Sequence, residues 1–300
     1  MSVLRRTLVL SGVLVLAAAG CGSNSLEGGS TSAPTSAPSS APSSGGPDLS
    51  GSLPPKIKSA GKIVVGVDAS YPPNEFLQGG KTVVGMDVDL FNAVAQKFGV
   101  TVDWQPAGFD TIITGVQGGK YDVGVSSFTI NDKRKQQVNM VSYFNAGTLW
   151  ATAKGNPKGV KADDACGKTV AVQKGTTQLE DDIPKRQAAC KAAGKPEIKL
   201  VVREKQDQAT ADLVGGKADA MLADSPVVLY AIKQTNGQLE QLGDIYDAAP
   251  YGYVVPKAET AFAQAITEAL KSLDSEGTYK STLQKWNNDS GAITDFAVNP

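Results

Sequence analysis

Residues 61–68 read GKIVVGVD, and residues 167–174 repeat this pattern as GKTVAVQK. A second pair follows in the same order, GGKYDVGVSS at residues 118–127 and GGKADAMLAD at residues 215–224. In the first pair a glycine and a lysine precede a short apolar run, which is typical of a buried strand. Two repeats in one order, about 100 residues apart, predict two lobes of similar topology.

Helical patterns separate these runs. Strands are predicted at residues 63–67, 100–104 and 121–125, and helices at residues 86–98 and 109–117. Strands that alternate with helices imply a mostly parallel sheet covered on both faces. Because ligands of open α/β sheets bind beyond the carboxyl ends of strands, the facing strand ends of the two lobes are the predicted site.

The chain is expected to pass between the lobes twice. Residues 143–154 and 251–257 read as crossing strands of opposite direction, and a last helix at residues 259–273 would pack back on the first lobe. The predicted fold class is α/β, with two mixed sheets joined by a two-strand hinge. Lobe 1 is predicted to comprise residues 54–148 plus 253–300, and lobe 2 residues 149–252. A hinged cleft of this kind closes around a small ligand.

The N-terminal residues have the pattern of an export signal. Two arginines precede an apolar run at residues 8–19, which would rise only about 18 Å as a helix against the ~30 Å of a hydrocarbon core. Residues 1–20 are therefore predicted to be a signal peptide. Cys21, directly after Gly20, resembles the acylated cysteine of a bacterial lipoprotein lipobox, although Ala18 stands where leucine is preferred. The alternative is a secreted protein with a chance cysteine.

Residues 21–53 are mostly Gly, Ser, Thr, Ala and Pro and are predicted to form a tether, because such a stretch cannot bury enough apolar surface to order itself. Cys166 and Cys190 remain as a pair in an exported chain, where a disulfide is expected. Two buried free thiols are the alternative.

Composition excludes several kinds of function. The chain has 300 residues, with 29 Lys+Arg, 30 Asp+Glu and no histidine. A net charge of −1 provides no electrostatic footprint for nucleic acid. Without histidine, Ser-His-Asp catalysis and His-bearing zinc sites are excluded. The sequence contains no evident metal-ligand cluster or phosphate-binding loop, so neither a metal nor another cofactor is expected.

Several dispersed motifs carry a family resemblance. They are GMDVDLFNAVA at residues 85–95, SSFTINDKRKQQV at residues 126–138, and then VQKGTTQ, DAMLAD, PYGYVVPK and GTYKSTLQKWN. From about residue 62 to residue 287 the chain resembles the family 3 substrate-binding proteins of ABC transporters, those for polar amino acids. Met86 stands where the family has an aromatic or branched residue.

This resemblance implies a type II periplasmic-binding-protein-like fold. It also implies a receptor, expected to be a monomer, that captures a polar amino acid and delivers it to an ABC permease. The protein would be exported to the outer face of the cytoplasmic membrane, which it would contact only through its N-terminal lipid.

The ends of a free amino acid need counter-charges when buried. Arg134 can offer a planar fork to the carboxylate, with Ser127, Thr129 and Thr177 as further donors. Asp224 would accept from the ammonium, with Ser127 beside it. Each residue has a plainer interpretation: Arg134 lies in a charge cluster that could be solvated, and Asp224 and Thr177 could cap helices.

The side-chain pocket follows from the family pattern. Tyr71 and Phe109 match aromatics that flank the ligand side chain, and Asp68 matches an acid that receives a donor at its far end. The pocket would be completed by Ser126, Gln173 and Gln178. The expected ligands are lysine, arginine, ornithine, histidine or glutamine, with a cationic side chain favoured. Ordinary packing is the alternative for Tyr71 and Phe109, and glutamate would require Lys174 to offset Asp68.

Two other function classes remain open. An enzyme of the cyclohexadienyl dehydratase type has the same fold, but it needs an acid or base in the cleft. Glu75 and Asp68 are the nearby acids, and neither comes with an evident partner in the sequence. A surface module without a small-molecule ligand is the other alternative, which the pair of Arg134 and Asp224 disfavours.

Overall fold

The computed structural model describes residues 49–300; the predicted signal peptide, Cys21 and most of the predicted tether lie outside this range. The strands are β1 (Lys62–Val67), β2 (Ser70–Tyr71), β3 (Glu75–Gln78), β4 (Thr82–Val84), β5 (Thr101–Pro106), β6 (Val123–Gly124), β7 (Asn139–Ala153), β8 (Thr169–Gln173), β9 (Lys199–Arg203), β10 (Ala220–Asp224) and β11 (Leu239–Val255). The helices are α1 (Pro55–Ala60), α2 (Met86–Lys97), α3 (Phe109–Gln117), α4 (Asp132–Gln137), α5 (Ile183–Ala192), α6 (Gln206–Val214), α7 (Ser225–Gln234), α8 (Thr260–Ser275) and α9 (Thr278–Lys285). A π-helical segment, Gln178–Asp182, leads into α5, and short 3-10 turns lie at Ser50–Ser52 and Asp289–Gly291.

The main sheet has a symmetric strand order, β5-β1-β6-β11-β7-β10-β8-β9. The outer three strands on each side are parallel to one another, and β11 and β7 lie antiparallel at the centre. The two repeated sequence patterns occupy equivalent places, because β1 matches β8 and β6 matches β10. The repeats therefore mark two lobes of like topology, the first built on β1, β5 and β6 and the second on β8, β9 and β10.

The two central strands cross from one lobe to the other. Residues 139–146 of β7 pair with residues 249–255 of β11 beside β6, whereas residues 148–152 pair with β10. The predicted opposite directions of these strands are confirmed, but both strands are longer than expected. Because their pairing is nearly continuous, the two expected sheets form one eight-stranded sheet. A separate antiparallel sheet of β2, β3 and β4 accompanies it.

The first lobe is held by an apolar core beneath the sheet. The buried face of α2, which includes Leu90, Phe91 and Val94, packs with Phe262 and Leu270 of α8 in one cluster. The last long helix thus returns to the first lobe as predicted, since its apolar positions recur with a helical period. These buried side chains give a firm base to the strand ends above them.

The folded part begins earlier than the predicted boundary at residue 54. Leu53 is buried and Leu49 is partly buried, and both pack against the core of the first lobe. Two leucines within an otherwise small and polar stretch gain enough by burial to order the end of the predicted tether.

In the second lobe a disulfide joins Cys166, which precedes β8, to Cys190 of α5, with a Cα–Cα distance of 5.6 Å. Within residues 49–300, no group of three or more acidic or cysteine side chains is placed to hold a metal ion. None of the helices in that range has the length and apolar character needed to cross a membrane.

Candidate functional site

A cavity of about 290 Å³ lies between the lobes at the carboxyl ends of the strands. Side chains of both lobes line it. The structure brings together all eleven residues predicted for ligand contact, and Thr176 joins them. The lining residues are Asp68, Tyr71, Phe109, Ser126, Ser127, Thr129, Arg134, Gln173, Thr176, Thr177, Gln178 and Asp224.

Arg134 is buried at the wall of the cavity. Asn131 caps α4 by accepting from the backbone N–H of Arg134 at 2.9 Å, which positions the side chain on the first turn. The guanidinium donates to the Thr129 carbonyl at 2.8 Å and to the Gly175 carbonyl of the second lobe at 3.1 Å. A guanidinium has five N–H donors, so three remain for an anion. Burial lowers the pKa of Arg134, but the group stays charged at any physiological pH.

The guanidinium also lies over two aromatic rings. The rings of Phe109 and Phe128 stack with centroids 4.6 Å apart, and the carbon of the Arg134 guanidinium lies 5.5 Å from each centroid. Such contacts hold a cation in one place while its edge donors stay free. The interpretation of Arg134 as part of a solvated charge cluster is therefore wrong.

Asp224 faces Arg134 from the end of β10. It occupies the N-cap position of α7, yet its side chain makes no capping hydrogen bond. Its carboxylate instead accepts from the Gln178 amide and from the Tyr251 hydroxyl, each at 2.7 Å. Burial raises the pKa of Asp224, while these two hydrogen bonds and the charge of Arg134 act in the opposite direction. The carboxylate is thus held towards the cavity, and the interpretation of Asp224 as a helix cap does not explain this position.

Thr176 and Thr177 differ in what their hydroxyls do. The Thr176 hydroxyl donates to the Gln173 carbonyl at 2.7 Å and stabilises the turn after β8. Thr177 precedes the π-helical segment without a side-chain capping bond, so its hydroxyl is available at the cavity wall. Its expected role towards a carboxylate stays a prediction.

Asp68, which follows β1, is the second acid in the cavity wall. Its carboxylate accepts from the Gln173 amide of the second lobe at 2.6 Å, and its backbone N–H donates to the Ser126 hydroxyl at 3.0 Å. Burial raises the pKa of Asp68 to about 6. A carboxyl with this pKa is ionised at neutral pH only by a small margin, and a cationic partner would favour its charged form.

The two predicted aromatic residues do more than pack. Tyr71 accepts a hydrogen bond from the backbone N–H of Asp224 at 3.2 Å across the cleft, and Phe109 stacks on Phe128 beside Arg134. Both rings line the cavity. They add apolar surface beside the two charged residues, Arg134 and Asp224.

Lys174 does not offset Asp68. Its ammonium forms ion pairs with Asp110 at 3.0 Å and with Glu204 at 3.1 Å, and it is not among the residues that line the cavity. The condition under which glutamate was expected to bind is therefore not met.

Sequence reasoning named Glu75 and Asp68 as nearby acids without partners, but Glu75 lies with Asp87 and Asp68 with Gln173; the layer of residues beneath the cavity was missed. Tyr251 holds Asp224, and a buried pair of acids, Glu75 and Asp87, lies under Ser126 and Ser127. Tyr251 belongs to the recognised PYGYVVPK motif and Asp87 to GMDVDLFNAVA, so the motifs pointed to the segments. Nothing in the sequence indicated which of their side chains would face the site.

A larger groove of about 1,220 Å³ lies beside the crossing strands and contains none of the residues that line the first cavity. It is lined by Tyr230, Trp286, Lys233 and Lys285 among others, and no carboxylate is present in that lining. It therefore lacks a counter-charge for an ammonium, and the smaller cavity is the better candidate site.

Comparison with known proteins agrees with this geometry. The family model for bacterial extracellular solute-binding proteins, family 3, matches residues 63–289. The arginine-binding protein ArgT of Corynebacterium glutamicum is 33% identical over 253 residues, which cover 84% of this chain and 83% of that protein. The solved structure of an ancestral arginine-binding protein bound to arginine is 34% identical with a TM-score of 0.69, and the match covers 75% of this chain and 98% of that one.

A further solved structure is that of an ancestral amino-acid-binding protein described as a precursor of cyclohexadienyl dehydratase. It is 31% identical with a TM-score of 0.68, and the match covers 77% of this chain and 97% of that one. The family match spans both lobes and every residue that lines the cavity.

Proposed function

The chain belongs to the bacterial extracellular solute-binding proteins of family 3, and we propose that it binds a polar amino acid with a cationic side chain between its lobes. Arginine is the first candidate, because two of the similar proteins are named for binding it. The bound amino acid would then be delivered to the permease of an ABC transporter. The single observation that carries this proposal is one cavity with Arg134 of the first lobe and Asp224 of the second in its wall.

These two charges suit the two ends of a free amino acid. The Arg134 guanidinium would bind the carboxylate, with Thr129 and Thr177 beside it, and the Asp224 carboxylate would accept from the ammonium. Because the two anchors lie on different lobes, a ligand that satisfies both favours the closed arrangement over an open one. Closure around the ligand is the expected mechanism of capture.

The second acid in the cavity wall supports a cationic side chain. Asp68 is that acid, the apolar surface of Tyr71 and Phe109 suits an aliphatic stem, and Lys174 is engaged elsewhere. A guanidinium can donate to Asp68 while stacking on aromatic faces. A side-chain carboxylate would meet Asp68 without a compensating cation.

Thermal unfolding of the exported chain in the presence of each common amino acid tests the proposal. A ligand at 100 times its dissociation constant adds about 2.7 kcal/mol to the free energy of unfolding. That corresponds to about 5–10 °C for a protein of this size. Arginine should produce the largest shift and aspartate none. If no amino acid shifts the melting temperature, the proposal is wrong, and a module without a small-molecule ligand becomes the better interpretation.

We also propose that the chain binds its ligand without transforming it. The two carboxyls in the cavity wall, Asp68 and Asp224, are each held by a glutamine of the second lobe. Mass spectrometry after prolonged incubation with arginine, and separately with a cyclohexadienyl compound that carries a ring hydroxyl group, should show unchanged molecules. A dehydrated product would instead support the enzyme alternative.

For the exported form, we propose a signal peptide at residues 1–20, lipidation of Cys21 and a tether that ends near residue 49. Lobe 1 would comprise the chain up to about residue 148 plus residues 253–300, and lobe 2 residues 149–252. The protein would act as a monomer at the outer face of the cytoplasmic membrane. Cys21→Ser should release the protein into the medium, whereas membrane retention of that variant would contradict the anchor.

A further inference from the structure

Two acids from different segments meet under the floor of the cavity. Glu75 begins β3, Asp87 lies in the first turn of α2, and neither has any exposed surface. Directly above them, Ser126 and Ser127 follow β6 and line the cavity. We call Glu75 and Asp87 the acid pair. It does not line the cavity, so any effect on a ligand acts through the two serines.

The acid pair must share a proton. Oδ1 of Asp87 is buried and accepts no hydrogen bond from any residue in the described range, and an ionised carboxyl can only accept. A proton held by Glu75 and donated to Asp87 removes the repulsion between two buried charges. Burial and the charge of Asp87 both raise the pKa of Glu75 well above its usual range. The pair therefore carries one negative charge, which the Tyr143 hydroxyl also stabilises by donating to Asp87.

Ser126 has a single hydroxyl proton, and its neighbours decide where that proton points. The hydroxyl oxygen already accepts from the backbone N–H of Asp68 at 3.0 Å, and the hydroxyl donates to Oε1 of Glu75 at 3.3 Å. With its proton directed away from the cavity, Ser126 keeps only a lone pair for a ligand.

Ser127 is committed in the same direction. Its hydroxyl accepts from the Asn74 amide at 3.0 Å, and its own proton has Oε2 of Glu75 at 3.2 Å and Oδ2 of Asp87 at 3.3 Å as acceptors. Its backbone N–H donates to Asp87 as well, at 3.2 Å, which holds the residue at a φ of 50°. Such a φ is uncommon outside glycine. Ser127 thus has no free proton to offer to a ligand carboxylate.

We propose that the acid pair determines specificity: by accepting the hydroxyl protons of Ser126 and Ser127, it leaves a cavity floor that binds N–H donors and rejects acceptors. The inference rests on the proposed function, since it assumes that an amino acid occupies this cavity. It assigns Ser127 to the ammonium side of the ligand and Ser126 to the donors of its side chain. Glu75 and Asp87 are positioning residues, because they act through the serines.

The test compares arginine with citrulline. Citrulline has the same length, but its side chain ends in a neutral ureido group, in which a carbonyl oxygen that accepts hydrogen bonds replaces one NH2 group of the guanidinium. Glu75→Met removes the acceptor and keeps an unbranched side chain of similar length, so the hydroxyl of Ser126 can turn towards the cavity. We expect the ratio of arginine affinity to citrulline affinity to fall about tenfold, which corresponds to one hydrogen bond to a charged group. Asp68 is present in every variant, so its own preference for arginine does not change the comparison.

Glu75→Gln is the conservative variant. Its amide oxygen can still accept from Ser126 and its amide N–H can still donate to Asp87, so it should return the ratio of affinities to the wild-type value. A merely structural Glu75 would weaken both ligands equally in Glu75→Met and leave the ratio unchanged, which would overturn the inference. A ratio of arginine affinity to citrulline affinity as low in Glu75→Gln as in Glu75→Met would also overturn the inference.

Ser126→Ala provides a second route if Glu75→Met does not fold. Because this variant removes an acceptor, its affinity for arginine should fall several-fold more than its affinity for citrulline. The opposite order would show that the hydroxyl donates to the ligand. If the wild type bound glutamate most tightly, the inference would fail, because a side-chain carboxylate needs donors from the floor. If the wild type bound no amino acid, the proposed function itself would fail.

Discussion

Asp68 of the first lobe and Gln173 of the second are joined by a hydrogen bond of 2.6 Å between a carboxylate oxygen and a side-chain amide. Asp68 is also the acid proposed to receive the cationic end of the ligand. The same side chain therefore has two tasks: it helps hold the lobes together and it selects the ligand. One carboxylate can do both because it has two oxygens, which together accept several hydrogen bonds.

The first prediction concerns pH. Burial raises the pKa of Asp68 to about 6, with the charges of Lys205 and Asp207 acting in opposite directions on it. Below that pH the carboxyl is neutral, so binding a guanidinium must release a proton, and arginine affinity should rise with pH up to about 6 and then level off. The slope below that point is at most about tenfold per pH unit for one proton. Calorimetric titration at several pH values measures it.

Asp68→Asn is the control for this prediction, because its side chain does not titrate. This variant should bind arginine weakly, without the step near pH 6, and glutamine should lose less affinity than arginine. Without ligand the sign reverses: a raised folded pKa stabilises the protonated protein, so the contribution of Asp68 to stability falls as pH rises from about 4 to about 6. An unchanged pH profile in Asp68→Asn would mean that another acid controls binding.

The second prediction tests the fork of Arg134. Arg134→Ala should lower the affinity for the amino acid at least about 100-fold, since two hydrogen bonds to a charged carboxylate contribute about 1.5–3 kcal/mol each. Arg134→Lys keeps the charge but offers no planar fork, so an intermediate loss is expected. Lys135→Ala removes the same charge one residue along α4, outside the cavity, and should change affinity little. Equal losses in Arg134→Ala and Lys135→Ala would mean that only net charge matters.

The third prediction concerns the contact made on closure. Gly175 of the second lobe lies against Asp110 of the first, and a Cβ at residue 175 would lie 2.9 Å from the Asp110 Cβ and 3.1 Å from its Cα. Gly175→Ala should therefore oppose closure and weaken ligand binding about tenfold or more. The positive φ of 77° adds a cost to folding in any arrangement of the lobes.

Gly155→Ala separates these two effects. Gly155 has a φ of 74°, but a Cβ there would meet nothing within 4 Å. Both variants should lose similar stability in urea unfolding, while only Gly175→Ala should lose affinity. An unaffected affinity in Gly175→Ala would show that the lobes bind their ligand without this close approach.

The fourth prediction concerns the disulfide. Cys166 and Cys190 are separated by 24 positions, and closing a loop of this length stabilises the folded state by about 3 kcal/mol in the chain-entropy model. In the double variant Cys166→Ser, Cys190→Ser the free energy of unfolding should fall by that amount, so that the protein unfolds at a lower urea concentration. A reductant should have the same effect on the wild type. If a reductant leaves the wild type unchanged and both thiols react with a thiol reagent on unfolding, the alternative of two free thiols is correct.

Local pattern was sufficient to predict where the cavity would lie, and the family resemblance supplied most of the residues predicted to surround it. Asp224 ends β10 and Arg134 lies in α4, the first helix after β6, and parallel strands deliver the residues at their carboxyl ends to the same edge of a sheet. The repeat of GKIVVGVD as GKTVAVQK then predicted that two such edges would face one another. The location of the site depends on short-range periodicity and spacing, which a single chain displays directly, whereas the roles of the pocket residues came from the family resemblance.

Tertiary packing decided which atoms of those residues face which partners. Asp224 could have capped α7, and Lys174 could have offset Asp68; the placement of Gln178, Tyr251 and Asp110 directed each of them elsewhere. Glu75 and Asp87 lie only twelve positions apart in the chain, yet their proton sharing follows from common burial. Hydrogen bonds and pKa values depend on partners within a few ångströms, and those distances exist only once the segments have packed together.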